Sequence, residues 1–139
     1  MKGKTIAELK IGDFAEHAKT ISESDVYLFA GITGDMNPAH INAQDAAQGM
    51  FKERIAHGML SAGLVSAVLG MQIPGPGTIY LAQTLKFTAP VKFGDTITAR
   101  AEVIERTVER NRIVLKTTCV NQNGILVLDG EATVKPPKA

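Results

Sequence analysis

The chain has 139 residues, enough for one domain with a core of its own and too few for two ordinary ones. Hydrophobic residues make up 45% of it, a globular rather than a disordered composition. With 15 basic and 14 acidic residues the net charge is +1, which gives no electrostatic case for nucleic acid or an anionic membrane surface as partner.

The N-terminus opens Met1-Lys2-Gly3-Lys4 and shows no apolar signal-peptide core. A first strand is expected over 14–21. Ser22 then reads as the N-cap of a helix with Glu23 and Asp25 in its first turn. Val26, Phe29 and Ala30 fall at helical spacing, and Gly31 and Gly34 are expected to stop that helix. A turn follows over 35–40. Asn42 caps a short helix over 43–49, and Lys52-Glu53-Arg54 is an exposed charged stretch. Residues 55–71 form the longest apolar stretch, broken by His57, Ser61 and Ser66. It is short of the roughly 20 apolar residues that span a bilayer, so it reads as a buried helix over 58–71. That helix is apolar nearly all round, and Met59 is expected in the core. Its small residues, Ala62, Gly63, Ser66 and Ala67, would let a sheet approach closely.

Pro74-Gly75-Pro76-Gly77 ends the helix abruptly. The remainder reads as strands over 78–87, 96–107, 112–121 and 124–134. Ile97, Ala99, Ala101 and Val103 alternate with polar neighbours, and Gln122-Asn123-Gly124 signals a hairpin. Cys119, the sole cysteine, excludes an intrachain disulfide and reads as a packed core thiol, consistent with a reducing cytoplasm. Residues 135–139 are expected to fray. The expected class is α+β, with a curved antiparallel sheet wrapped round a long central helix. One domain covers 1–139, with its core at about 13–134.

The densest chemical signal is Asp35-Met36-Asn37-Pro38-Ala39-His40. A carboxylate and an imidazole sit five positions apart across an Asn-Pro turn, and His57-Gly58-Met59 opens the apolar helix 17 residues further on. Such a pair can move protons at neutral pH. Burial beside the helix would make the carboxylate a stronger base. Alone, Asp35 would be a turn residue and His40 a surface histidine; the pattern is what favours chemistry. Asn37 is expected to hold the turn. His57 either fixes the helix start or lines a substrate channel. His17 is incidental. No metal site is expected, because the spacing of Asp35, His40 and His57 matches neither a helix-borne histidine pair nor a Cys/His zinc pattern. Ser61 and Ser66 lack the nucleophile-elbow pattern of a hydrolase.

Asp35 to His40, Ala56-His57-Gly58-Met59-Leu60, Gly77-Thr78-Ile79-Tyr80 and Pro90-Val91…Gly94-Asp95 together resemble the (R)-specific enoyl-CoA hydratases of the MaoC-like dehydratase family. The resemblance implies a hot-dog fold and a homodimer. It implies a hydro-lyase that hydrates trans-2-enoyl-CoA reversibly to (R)-3-hydroxyacyl-CoA, with coenzyme A carried by the substrate and no cofactor besides. It places the catalytic pair on Asp35 and His40, the backbone oxyanion donor on Gly58, and a serine supporting the aspartate on Ser66. Either Asp35 or His40 could be the base. Lys52, Arg54, Lys86 and Lys92 are available for the coenzyme A phosphates. A thioesterase on the same fold and a non-catalytic acyl-CoA-binding module are the rival functions. The pathway, whether polyhydroxyalkanoate precursor supply or another branch of fatty acid metabolism, stays open.

Overall fold

A computed structural model describes residues 1–139. Strict alternation in the segment Thr96–Thr107 produces the longest strand, β4, whose Ile97, Ala99, Ala101 and Val103 all point inward. Around it the chain lays down β1 (Phe14–Thr20), β2 (Ile79–Gln83), β3 (Lys86–Phe87), β5 (Arg112–Val120) and β6 (Leu126–Lys135). All pairings are antiparallel, in the order β1-β4-β5-β6-β2, with β3 also on β6. Register shifts at Val103/Glu105 and Cys119/Val120 are bulges, which bend the sheet. The β5–β6 hairpin forms where expected. The Asn121 side chain accepts from the Asn123 and Ile125 amides, and Gly124 supplies the positive φ of 75°.

Helix α1 (Glu23–Thr33) starts on a capping box: the Ser22 hydroxyl accepts from the Asp25 amide, and the Asp25 carboxylate accepts from the Ser22 amide. Gly31 lies within this helix; only Gly34, at φ 81°, ends it. Two short helices follow, α2 (Pro38–Ile41) and α3 (Ala43–Gln48). Helix α4 (Gly58–Met71) has the expected bounds and packs across β4, β1, β5 and β6.

Only one face of α4 is covered by this chain. Ser61, Leu64, Val65, Val68 and Leu69 are buried, the spacing of a single apolar stripe. Gly63 and Ser66 face outward with Gly70 and Met71, while Ala62 packs half-buried against the core, so only part of the small-residue set serves the sheet's approach. Met59 is 52% exposed and is not core. Complete burial of an aliphatic side chain contributes roughly 1.5–3 kcal/mol. The core that collects these contributions runs from Leu9 to Val134.

Both chain ends are packed further than the limits 13–134. Leu9 is fully buried, and the Gly3 and Lys4 amides donate to the Pro76 and Pro74 carbonyls. Pro136 is buried and its carbonyl accepts from the Asn111 side chain, so the tail expected to fray is held at least as far as Pro136. The single strand expected over 78–87 is broken at Thr84–Leu85. There the Thr84 hydroxyl, rather than a backbone carbonyl, takes the Glu131 amide.

Cys119 is wholly buried, and desolvation pushes its thiol up to about 12. A disulfide reagent added at pH 8 should therefore leave the native protein unreacted and titrate one thiol per chain after denaturation. Rapid labelling of the folded protein would contradict this burial.

Candidate active site

Gly34 turns the chain out of α1 and delivers Asp35 at the mouth of a cavity of about 650 Å³. The loop is knitted locally. The Asp35 amide donates to the Thr33 hydroxyl (3.2 Å), and the Asn37 amide donates to Asp35 Oδ1 (3.3 Å). Asn37 Oδ1 then accepts from the Ala39 amide (3.0 Å), capping α2, with Pro38 at its first position. The expected turn thus ends in a helix, and His40 rides on it. Asn37 holds the loop, as expected from its place beside Pro38.

Two backbone carbonyls orient the two histidines. His40 Nδ1 lies 2.7 Å from the Ile55 carbonyl oxygen, and His57 Nε2 lies 3.0 Å from that of Asp35. A carbonyl only accepts, so each of these nitrogens carries the proton in the neutral ring, leaving a lone pair on His40 Nε2 and on His57 Nδ1. The rings stack with centroids 3.9 Å apart, and Phe29 backs His57 at 4.7 Å. His57 is only 2% exposed. His17 sits on β1 opposite Ala99, outside the cavity lining.

Gly58 is the first residue of α4, so its amide has no partner inside the helix, and it lines the same cavity as Asp35 and His40. A Cβ there would stand 2.7 Å from the Phe87 ring, so glycine is what allows the wall to close this tightly. The helix dipole adds to the pull on a developing negative charge. Phe51, Phe87, Val91 and Val127 make the rest of the wall largely apolar.

Two expectations are corrected, the burial of Asp35 and the core position of Met59, and Ser66 is placed away from Asp35 of its own chain. Asp35 is exposed in this chain, so α4 does not supply the expected burial of its carboxylate. Ser66 is exposed and lines a neighbouring depression with Tyr80 and Gln83. It makes no hydrogen bond to Asp35; eight residues along α4 carry it about 12 Å from Gly58. Met59 lines the cavity mouth instead of the core. Of the four cations, Arg54 is bonded to Glu23 and to the Tyr27 hydroxyl, both at 3.0 Å, and Lys92 pairs with Glu53 at 3.2 Å. Lys52 and Lys86 form no ion pair within the chain.

The aromatic wall was not legible beforehand, nor was the position of Ser61, which is buried beside His57.

Ligand atoms of Asp35, His40 and His57 lie within 4.8 Å of one another. A metal would need their lone pairs to converge. His57 Nε2 is committed to the Asp35 carbonyl, and His57 Nδ1 is sealed from solvent.

An antiparallel sheet wrapped on one helix, with a carboxylate–imidazole pair and a helix N-terminus facing one apolar cavity, defines a hot-dog domain equipped for acid–base chemistry. The chain belongs to the MaoC-like family: the model described as "MaoC like domain" matches residues 10–124. It is 55% identical over 130 residues to an (R)-specific enoyl-CoA hydratase of Rhodospirillum rubrum, covering 94% of this chain and 90% of that protein. A 3-hydroxybutyryl-CoA dehydratase of Methylorubrum extorquens is 50% identical over 94% of this chain and 83% of its own length. Among solved structures, the unliganded R-hydratase PhaJ1 of Pseudomonas aeruginosa superposes with a TM-score of 0.93 at 49% identity, covering 99% of this chain and 88% of that one.

Proposed function

We infer that this chain is an (R)-specific enoyl-CoA hydratase, a hydro-lyase adding water reversibly across trans-2-enoyl-CoA to give (R)-3-hydroxyacyl-CoA. The observation that carries the reading is 55% identity with an enzyme of that name along nearly the whole of both chains. The site supports it: Asp35, His40 and Gly58 line one apolar cavity.

Hydration requires that a water lose a proton as it attacks Cβ, that Cα gain one, and that charge on the thioester oxygen be stabilised. Asp35 is the general base toward that water. His40 Nε2, bearing the lone pair, accepts the water's other hydrogen and orients its oxygen. The proton returns from this pair to Cα on the face the water attacked, so addition is syn. The Gly58 amide donates to the thioester oxygen as it becomes enolate-like. Asn37 and His57 support the pair through the loop backbone.

The substrate carries its own coenzyme A and no other cofactor takes part. A four-carbon acyl group is favoured by the name of the Methylorubrum relative. The enzyme acts as a homodimer in the cytoplasm. Strand β2 supports the pairing: it closes one edge of the sheet and exposes Ile79, Tyr80 and Leu81 on both its faces. No helix is long and apolar enough to cross a membrane.

Purified protein mixed with crotonyl-CoA should abolish the enoyl thioester absorbance and yield the (R)-3-hydroxy product, with no thiol released. Thiol release instead would identify a thioesterase, and tight binding without either change would identify a binding module.

A further inference from the structure

Two side-chain polar atoms in the chain are buried without a hydrogen-bond partner, Nδ1 of His57 and Oγ of Ser61. Each residue is 2% exposed. Buried polar groups are almost always paired, so two orphans in one place call for an account. His57 is the extended N-cap of α4, Ser61 lies in the first turn that follows, and both line the same cavity. Helical side chains lean toward the N-terminus, so the Ser61 hydroxyl leans toward His57. Their chemistry is complementary. The Nε2 proton of His57 is committed to the Asp35 carbonyl, which leaves Nδ1 a bare lone pair, while the serine hydroxyl has a proton to give.

We infer that Ser61 Oγ–H donates to His57 Nδ1, closed by rotation about the Ser61 Cα–Cβ bond, and that the two act as a positioning pair for the hydration proposed above. The bond selects a tautomer. If the proton sat on Nδ1, the Nε2 lone pair would face the lone pairs of the Asp35 carbonyl. With Ser61 donating, Nε2–H is locked onto that carbonyl, and the ring face is held against His40 at 3.9 Å. Rigid α4 thereby sets both the Asp35 main chain and the plane of the His40 ring. Neither Ser61 nor His57 needs to touch water or thioester. The kinetic part of this inference rests on the hydratase reading; the tautomer does not.

The test uses full-length, ¹⁵N-labelled protein and long-range ¹H–¹⁵N correlation of its three histidine rings. His57 should appear as the Nε2–H tautomer with its Nδ1 resonance shifted by an accepted hydrogen bond. Ser61→Ala should move that resonance toward the unbonded position and leave His17 unchanged. On crotonyl-CoA, Ser61→Ala should lower kcat about three- to tenfold with KM unchanged. His57→Phe keeps a stacked ring and loses both bonds, so adding Ser61→Ala to it should have no further effect on kcat. An Nδ1–H tautomer in the native protein, an unmoved Nδ1 signal in Ser61→Ala, or fully additive losses in the double variant would each overturn the pair. Should the native protein fail to hydrate crotonyl-CoA, the functional reading fails by itself and the spectra alone decide this bond.

Discussion

Asp35→Asn should lower turnover of crotonyl-CoA by about 10²–10⁴-fold and leave the protein folded. The amide has the size and shape of the carboxylate and keeps an oxygen for the Asn37 amide, so the loop retains its internal bond. The His57 bond falls on the Asp35 main chain and is indifferent to the side chain. An exposed residue of this kind contributes little to stability, about 0.5 kcal/mol at most, so Tm should hold. What disappears is the capacity to take a proton from water. His40→Gln should cost a similar factor, because an amide can bond the water but cannot take up or relay a proton as the imidazole can. Steady-state rates beside melting curves decide the matter: a folded Asn variant with near-native turnover removes Asp35 from the mechanism.

The largest effect on stability is expected at Gly130. On β6, a Cβ there would overlap the Thr84 carbonyl oxygen and stand 2.8 Å from its carbon. Both are backbone atoms, so no side-chain rotation relieves the clash. The Thr84 amide and hydroxyl are tied to Glu131 beside it, by bonds of 2.9 and 3.0 Å. Gly130→Ala must therefore prise the β2–β3 segment from β6, at a cost of about 3 kcal/mol, or a fall in Tm on the order of 10 °C. Gly31→Ala is the contrasting case. It lies inside α1 with nothing within 4 Å of a built Cβ, and alanine there should stabilise by roughly 0.5–1 kcal/mol. Calorimetry of the two variants gives opposite signs if the close approach at Thr84 is real. A Gly130→Ala protein that melts with the native one would refute it.

What could be read beforehand was what depends on local order. The alternation in β4, the apolar run of α4 and the Ser22 box each satisfy their requirements within a few residues, and their bounds came out right or nearly so. The pairing of Asp35 with His40 was legible for the same reason, since a capped loop of six residues places both. The misses depend on tertiary approach. Nothing local says that Thr84 breaks a strand, because the cause lies on β6. Nothing local separates Ser61 from Ser66, two similar serines on one apolar helix, until the sheet covers one of them. Burial of Leu9 and Pro136 likewise follows from where the ends land on the Pro74–Gly77 turn and on Asn111, far away in sequence.

His40 and His57 are both tethered to main-chain carbonyls, those of Ile55 and Asp35. Every amino acid supplies a carbonyl, so the residue at position 55 can change in the course of descent without releasing His40. Phe51 and Phe87, the exposed side chains of the apolar wall, can be exchanged without opening the core. A lineage built on this frame can drift toward longer, branched or bulkier acyl groups one wall residue at a time, with its proton-transfer pair intact at every intermediate.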